Sequence, residues 1–204
     1  MRTNTRRSLM ALASAIPFAR YAFAQSADVM VRLRGKIDDV SADALHLTLR
    51  NGDKASVKLP ADMTVTWLIP AKPDDIEKGS YIGTAAMPQP DGTLRALEIQ
   101  VFPPSMRGVG EGSRPFDVAP GSTMTNGTIG TIVSSKGRTL TVTYKGGEKQ
   151  VFVPDGVPFV SYAPADRSAM TPGANVLVMA TPASDGSVTA SRVLVGRNGL
   201  VPPM

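Results

Sequence analysis

The chain has 204 residues, 42% hydrophobic and 19% charged, with 19 Gly and 17 Pro. That turn-rich count favours short strands over long helices. Cysteine is absent and histidine occurs once. Disulfides, thiolate metal sites, thiol catalysis and multi-histidine metal sites are thereby excluded.

Residues 1–24 read as an export leader. Arg2, Arg6 and Arg7 form a basic start, Leu9 to Phe18 is apolar, and Ala22-Phe23-Ala24 is a small-residue cleavage site before Gln25. The apolar run is shorter than the ~20 residues a membrane span needs. Thr5-Arg6-Arg7-Ser8-Leu9-Met10 also has the form of a twin-arginine signal, and an ordinary secretory route stays open beside it. The expected location is periplasmic or secreted, with no membrane span in the mature chain. Four of the 22 basic residues and none of the 17 acids lie in the leader, leaving 18 against 17. The formal charge therefore falls from +5 to +1, and a basic footprint for nucleic acid goes with it.

Beyond the leader the chain reads as one unit used twice. At an offset of 95, Gly35 matches Gly130, Ile37 matches Ile132, Leu45 matches Leu140 and Gly52 matches Gly147. At an offset of 94, Pro60 matches Pro154, Pro70 matches Pro164, Ile76 matches Met170 and Gly79 matches Gly173. Asp91-Gly92 likewise matches Asp185-Gly186, and Ala96 matches Ala190.

Leu45, Leu47 and Leu49 alternate with polar residues, as do Leu140, Val142 and Tyr144, the period of half-buried strands. Asn51-Gly52, Gly146-Gly147 and the two Asp-Gly pairs supply hairpin turns. Residues 73–78 and 166–171 read as single helical turns ended by Gly79 and Gly173. The predicted strands are 31–40, 44–50, 54–69 (broken near Pro60), 80–87 and 93–102, then 127–135, 138–145, 148–162 (with breaks at Pro154 and Pro158), 174–181 and 187–196. This order predicts an all-β protein of two tandem OB-like small barrels with five to six strands and one short helical turn each. The expected divisions are a leader (1–24), a first barrel (29–102), a Gly/Pro-rich linker (103–126), a second barrel (127–196) and a tail (197–204).

The succession of G-x-I, L-x-L-x-L, N-G or G-G, a proline-marked strand end and D-G-x-x-x-A-x-x-I/V resembles a family of exported bacterial small β-barrel domains classed as a domain of unknown function. The resemblance covers roughly 33–102 and 127–196, and close relatives are similar through the connecting stretch. It implies a fold and no chemistry, because the matched positions are turns and core. Some such chains carry the label metal ABC transporter permease. A permease needs several membrane helices, and the sequence after the leader supplies none.

The linker holds Arg107, Glu111, Arg114 and Asp117, with Met106 and Phe116 as apolar anchors. It reads first as a strap whose charges pair with each other or with a barrel. Its functional reading is a small anion- or peptide-binding surface in which Arg107 and Arg114 donate to a carboxylate or phosphate. His46 falls on the polar side of its strand and reads as a lone surface histidine. Asp38, Asp39 and Asp43 lack the order of a calcium loop. Eight methionines follow residue 24, scattered along the chain, and read as gap-fillers. No G-x-S-x-G occurs.

The sequence thus predicts a non-catalytic exported binding or scaffolding protein, with no cofactor, no catalytic residue and no metal ligand. Its expected partner is an envelope protein or a small anionic ligand. A soluble accessory in metal handling is the alternative. A hydrolase using the linker and an inter-barrel cleft is the third reading.

Overall fold

The computed structural model describes residues 30–134 and 138–204; the expected leader lies outside the described residues. The described chain is all-β. Its strands are β1 (Val31–Val40), β2 (Ala44–Leu49), β3 (Lys54–Lys58), β4 (Thr64–Pro70), β5 (Tyr81–Pro88), β6 (Leu94–Val101), β7 (Gly112–Pro115), β8 (Thr123–Ser134), β9 (Arg138–Tyr144), β10 (Gly147–Val153), β11 (Phe159–Pro164), β12 (Asn175–Pro182) and β13 (Val188–Gly196). The predicted helical turns are 3-10 turns at Pro73–Asp75 and Arg167–Ala169. No helix among the described residues is long and apolar enough to cross a membrane.

The local signals explain the turns. Gly52, Gly79, Gly92, Gly173 and Gly186 all have positive φ, at chain reversals where an L side chain would be strained. Asp91 accepts from Thr93 N at 3.0 Å, and Asp185 accepts from Ser187 N at 2.8 Å, so both Asp-Gly hairpins close alike. The long third strand breaks at Pro60 into β3 and β4, as expected.

Pairing between strands departs from expectation. The thirteen strands form one mixed sheet rather than two barrels closed within 29–102 and within 127–196. β1 pairs with β2 on one side and with β12 on the other. β2 continues to β3, β12 continues to β13, and Thr189 of β13 meets Lys58 of β3. That circuit takes three strands from the first repeat and two from the second. The reciprocal circuit joins β8, β9 and β10 to β6 and β5. β4 and β11, the equivalent strands, pair antiparallel between the two circuits. Each repeat therefore completes the pairing of the other.

The apolar cores follow the exchange. One contains Ile37, Leu45, Leu47 and Val57 beside Val176, Val178, Val193 and Val195. The other contains Ile82, Ala96 and Ile99 beside Ile129, Leu140, Val142 and Val151. A third cluster fills the junction with Leu68, Val160, Leu177, Leu194 and Met204. Val176-Leu177-Val178 and Val193-Leu194-Val195 are buried on both faces, which is why these runs are continuously apolar.

The repeat alignment also needs correction at its first strand. Ile37 is opposite Leu47, and Ile129 is opposite Val142, the counterpart of Leu47. Gly35 therefore corresponds to Gly127, not Gly130, and Ile37 to Ile129, not Ile132. Both glycines have the same cause. A Cβ on either would lie 2.4 Å from a carbonyl oxygen, of Thr48 for Gly35 and of Thr143 for Gly127. The 95-residue offset holds over β2 and β9, and the 94-residue offset from Pro60 and Pro154 onward.

Candidate functional site

Residues 103–126 are more structured than their composition suggests. A 3-10 turn covers Pro104–Met106, β7 pairs Gly112–Pro115 with the start of β8, and β8 begins at Thr123. The stretch crosses the junction between the two circuits. The tail 197–204 does the same after β13, beginning with its own 3-10 turn at Arg197–Gly199. Arg34 Nε donates to Met204 O at 2.7 Å, and an Arg50 nitrogen donates to Pro202 O.

Between strap and tail lies a cavity of about 190 Å³. Cross-strand register places its walls. On one side Glu98, Ala85, Met124 and Arg114 follow one another across β6, β5, β8 and β7. Gln100, Gly83 and Asn126 form the next row. On the other side Arg192, Met179 and Arg32 run across β13, β12 and β1, beside Leu194, Leu177 and Arg34. Directly opposed residues share a sheet face, so each row presents its side chains together.

Arg32, Arg114, Arg192, Gln100, Asn126, Phe102, Tyr162, Met106, Met124, Met179 and Met204 are among the residues lining this cavity. Of the four linker residues expected to bind, only Arg114 lines it. Arg107 is engaged elsewhere: it donates to Gly79 O at 2.6 Å and stands over the Tyr81 ring. Glu111 accepts from Lys145 N at 2.9 Å. Asp117 holds Arg34 at 2.8 Å and Arg32 at 3.8 Å. The contacts of these three residues fit the strap reading, in which the charges fasten the linker to the sheet.

The cavity is cationic in an apolar frame. Arg114 and Arg192 form no ion pair among the described residues. Burial, followed by the like charge of Arg32, lowers the Arg114 guanidinium from its ordinary value, and arginine still stays charged. Arg32 rests over the Phe116 ring at 4.8 Å. Phe102 stacks on Tyr162 with centroids 5.2 Å apart.

One hydrogen-bonded chain leads away from the cavity. The Tyr162 hydroxyl donates to Gln100 Oε1, and Gln100 Nε2 donates to Glu98 Oε1 at 2.5 Å. Glu98 is 1% exposed, and its Oε2 has no partner among the described residues. Burial pushes its carboxyl up to about 7, against the opposing pull of the Gln100 bond and of Arg34 and Arg50. Burial likewise raises the Tyr162 hydroxyl.

His46 is exposed on β2 opposite Asp39 and Ser56. Asp38 accepts from Thr48 and Lys54, which hold it below its usual value. Among the described residues no three of His, Cys, Asp and Glu gather as a metal-holding group. Four methionines read as scattered do converge, because each sits at a strand or segment that reaches the junction. Arg32, Arg192, Gln100, Tyr162 and Glu98 were also missed. The available signal was the apolar residue at 194, inside an otherwise alternating strand, which marked the outer face as covered.

Comparison with family models, curated proteins and solved structures gave no match for this chain.

Proposed function

We propose that this is a non-catalytic exported binding protein of the bacterial envelope, built from two OB-like closures that each draw strands from both repeats. Its ligand is a small amphipathic anion held in the junction cavity. The circuit β1-β2-β3-β13-β12 supports the OB-like reading, since it runs in the 1-2-3-5-4 order of that barrel. Kinship with the exported small-barrel family and passage through a cleavable leader belong to the same proposal.

The observation that carries the ligand reading is the meeting of Arg32, Arg114 and Arg192 in one cavity with aromatic rings and thioethers. Guanidinium groups bind carboxylate or phosphate through paired, charge-assisted hydrogen bonds. The apolar remainder takes a ring or short chain, and an apolar cavity of about 150 Å³ accommodates benzene. The cavity of about 190 Å³ thus suits a benzoate-sized ligand.

Internal comparison adds support. Equivalent positions keep their turns and core, yet differ in the rows that carry the cavity: Gln100, Arg192, Met179, Leu194 and Leu177 line it, and their equivalents are Leu194, Glu98, Ala85, Gln100 and Gly83. Simple packing across equivalent faces does not require such unlike pairs. Calorimetric titration with benzoate and with inorganic phosphate tests the reading. Benzoate should bind at up to millimolar concentration and more tightly than phosphate, and Arg114→Gln with Arg192→Gln should abolish it; absence of benzoate binding overturns the reading.

The four thioethers favour a second reading, a soft monovalent cation in metal handling. Silver(I) is the probe. Retention of silver by the protein, lost in Met124→Leu with Met179→Leu, favours that reading over the anion.

A further inference from the structure

The buried carboxyl of Glu98 has no place in anion binding by itself, yet it is wired to the cavity. Resting on the anion reading above, we infer that Glu98 makes ligand capture proton-coupled: the cavity takes its anion together with a proton held on Glu98.

The geometry sets the direction. Gln100 and Tyr162 line the cavity, and Glu98 stands one hydrogen bond behind Gln100. The Tyr162 hydroxyl spends its proton on Gln100, and Gln100 spends a donor on Glu98, so both dipoles in the chain point toward the carboxyl. A bound anion and an ionised Glu98 would repel one another through this short, poorly hydrated path. Protonation removes the repulsion and gives Glu98 a hydrogen to donate. The partnerless Oε2 fits a carboxyl that spends much of its time neutral.

Other titrating groups around Glu98 do not reproduce the effect. From β1 and the turn after β2, Arg34 and Arg50 act on it, and both stay charged. Arg192 on β13 acts on Tyr162, which burial keeps protonated. From β5 and β8, the cross-strand neighbours are Ala85 and Met124, which carry no charge. Asp117 lies below its usual range and stays ionised above pH 6.

The sign follows from linkage. A bound anion favours the protonated form, so binding takes up protons and weakens as pH rises through about 7. Benzoate itself remains ionised throughout. Its affinity for the wild-type protein should fall about tenfold between pH 6 and pH 8.5, the drop of one linked proton over about one unit. Glu98→Gln keeps a side-chain oxygen for Gln100 and should show less than a threefold change. His46→Gln should keep the wild-type slope. Calorimetry of the wild-type protein in two buffers of unlike ionisation heat should register net proton uptake at pH 7.5, a readout that needs no variant. Benzoate binding with no uptake of protons, or with the same slope in Glu98→Gln, overturns the coupling and leaves the anion reading standing. No benzoate binding at either pH overturns both.

Discussion

Leu68 of β4 and Tyr162 of β11 are cross-strand partners and also occupy equivalent positions of the two repeats. The register is symmetric about them: Thr66 faces Pro164, and Pro70 faces Val160. A pseudo-two-fold axis therefore passes between these two side chains. Around it the N-terminal strands of each repeat pair with the C-terminal strands of the other.

This exchange predicts mutual dependence of the halves. Neither 30–106 nor 107–204 contains a complete circuit, so each alone leaves half a core exposed. Expressed separately, each should lack a cooperative unfolding transition. Expressed together they should form a one-to-one complex with one transition by circular dichroism. Independent cooperative folding of either half would contradict the strand pairing.

Gly35 and Gly127 tolerate no side chain, because the neighbouring carbonyl belongs to the paired strand and cannot rotate away. Gly35→Ala and Gly127→Ala should each destabilise by about 2–3 kcal/mol, the upper part of the range for forced overpacking. Gly130, the position first aligned with Gly35, has a side-chain atom, Thr143 Oγ1, as its nearest obstacle at 3.3 Å. Gly130→Ala should cost less than either, and urea denaturation of the three variants orders them.

Glu98 makes stability depend on pH. Its carboxyl is raised from an ordinary 4.5 to about 7, so the folded state holds the proton longer than the unfolded state. Its favourable contribution is complete below about pH 4.5 and declines as pH rises toward 7. The decline amounts to about 3 kcal/mol at 1.36 kcal/mol per unit. Denaturation at pH 4.5, 6 and 8 should show the wild type losing ground to Glu98→Gln across this interval, with no further loss above it. A constant difference between the two proteins would contradict the assignment.

Asp117 ties the strap to β1 through Arg34 and Arg32. Burial opposes its ionisation, but the two guanidinium groups more than offset that and hold its carboxyl below the usual range. The stabilising contribution is therefore present at neutral pH and fades as pH drops below about 4. Asp117→Ala should speed tryptic cleavage after Arg107 without a large change in global stability, since the pair is partly exposed. Unchanged cleavage would mean that β7 and the contacts of Arg107 and Glu111 secure the strap without Asp117.

Much of the fold was legible where the physics is local. Alternation at 44–49 and 138–144, the Asp-Gly hairpins, the break at Pro60 and both helical turns were all written in short windows of sequence. Strand exchange was not, because a β12 that pairs with β1 and a β12 that pairs with β8 need the same alternation. The alignment at Gly35 slipped by three residues because glycine and isoleucine recur at 127, 129, 130 and 132. Within the site, Arg114 was legible as a basic residue on an irregular segment. Glu98 and Gln100 were not, since they alternate with Ile99 as solvent-facing residues do, yet tertiary packing buries both.

The axis between Leu68 and Tyr162 has an evolutionary corollary. Two separate copies of one repeat, assembled around such an axis, must place every side chain twice, so a glutamate at 98 would always come with a second glutamate at 192. A single polypeptide that carries both copies is free of that obligation. One wall can be acidic and amide-bearing while its mirror is basic and greasy, so the seam about the axis holds a lopsided pocket.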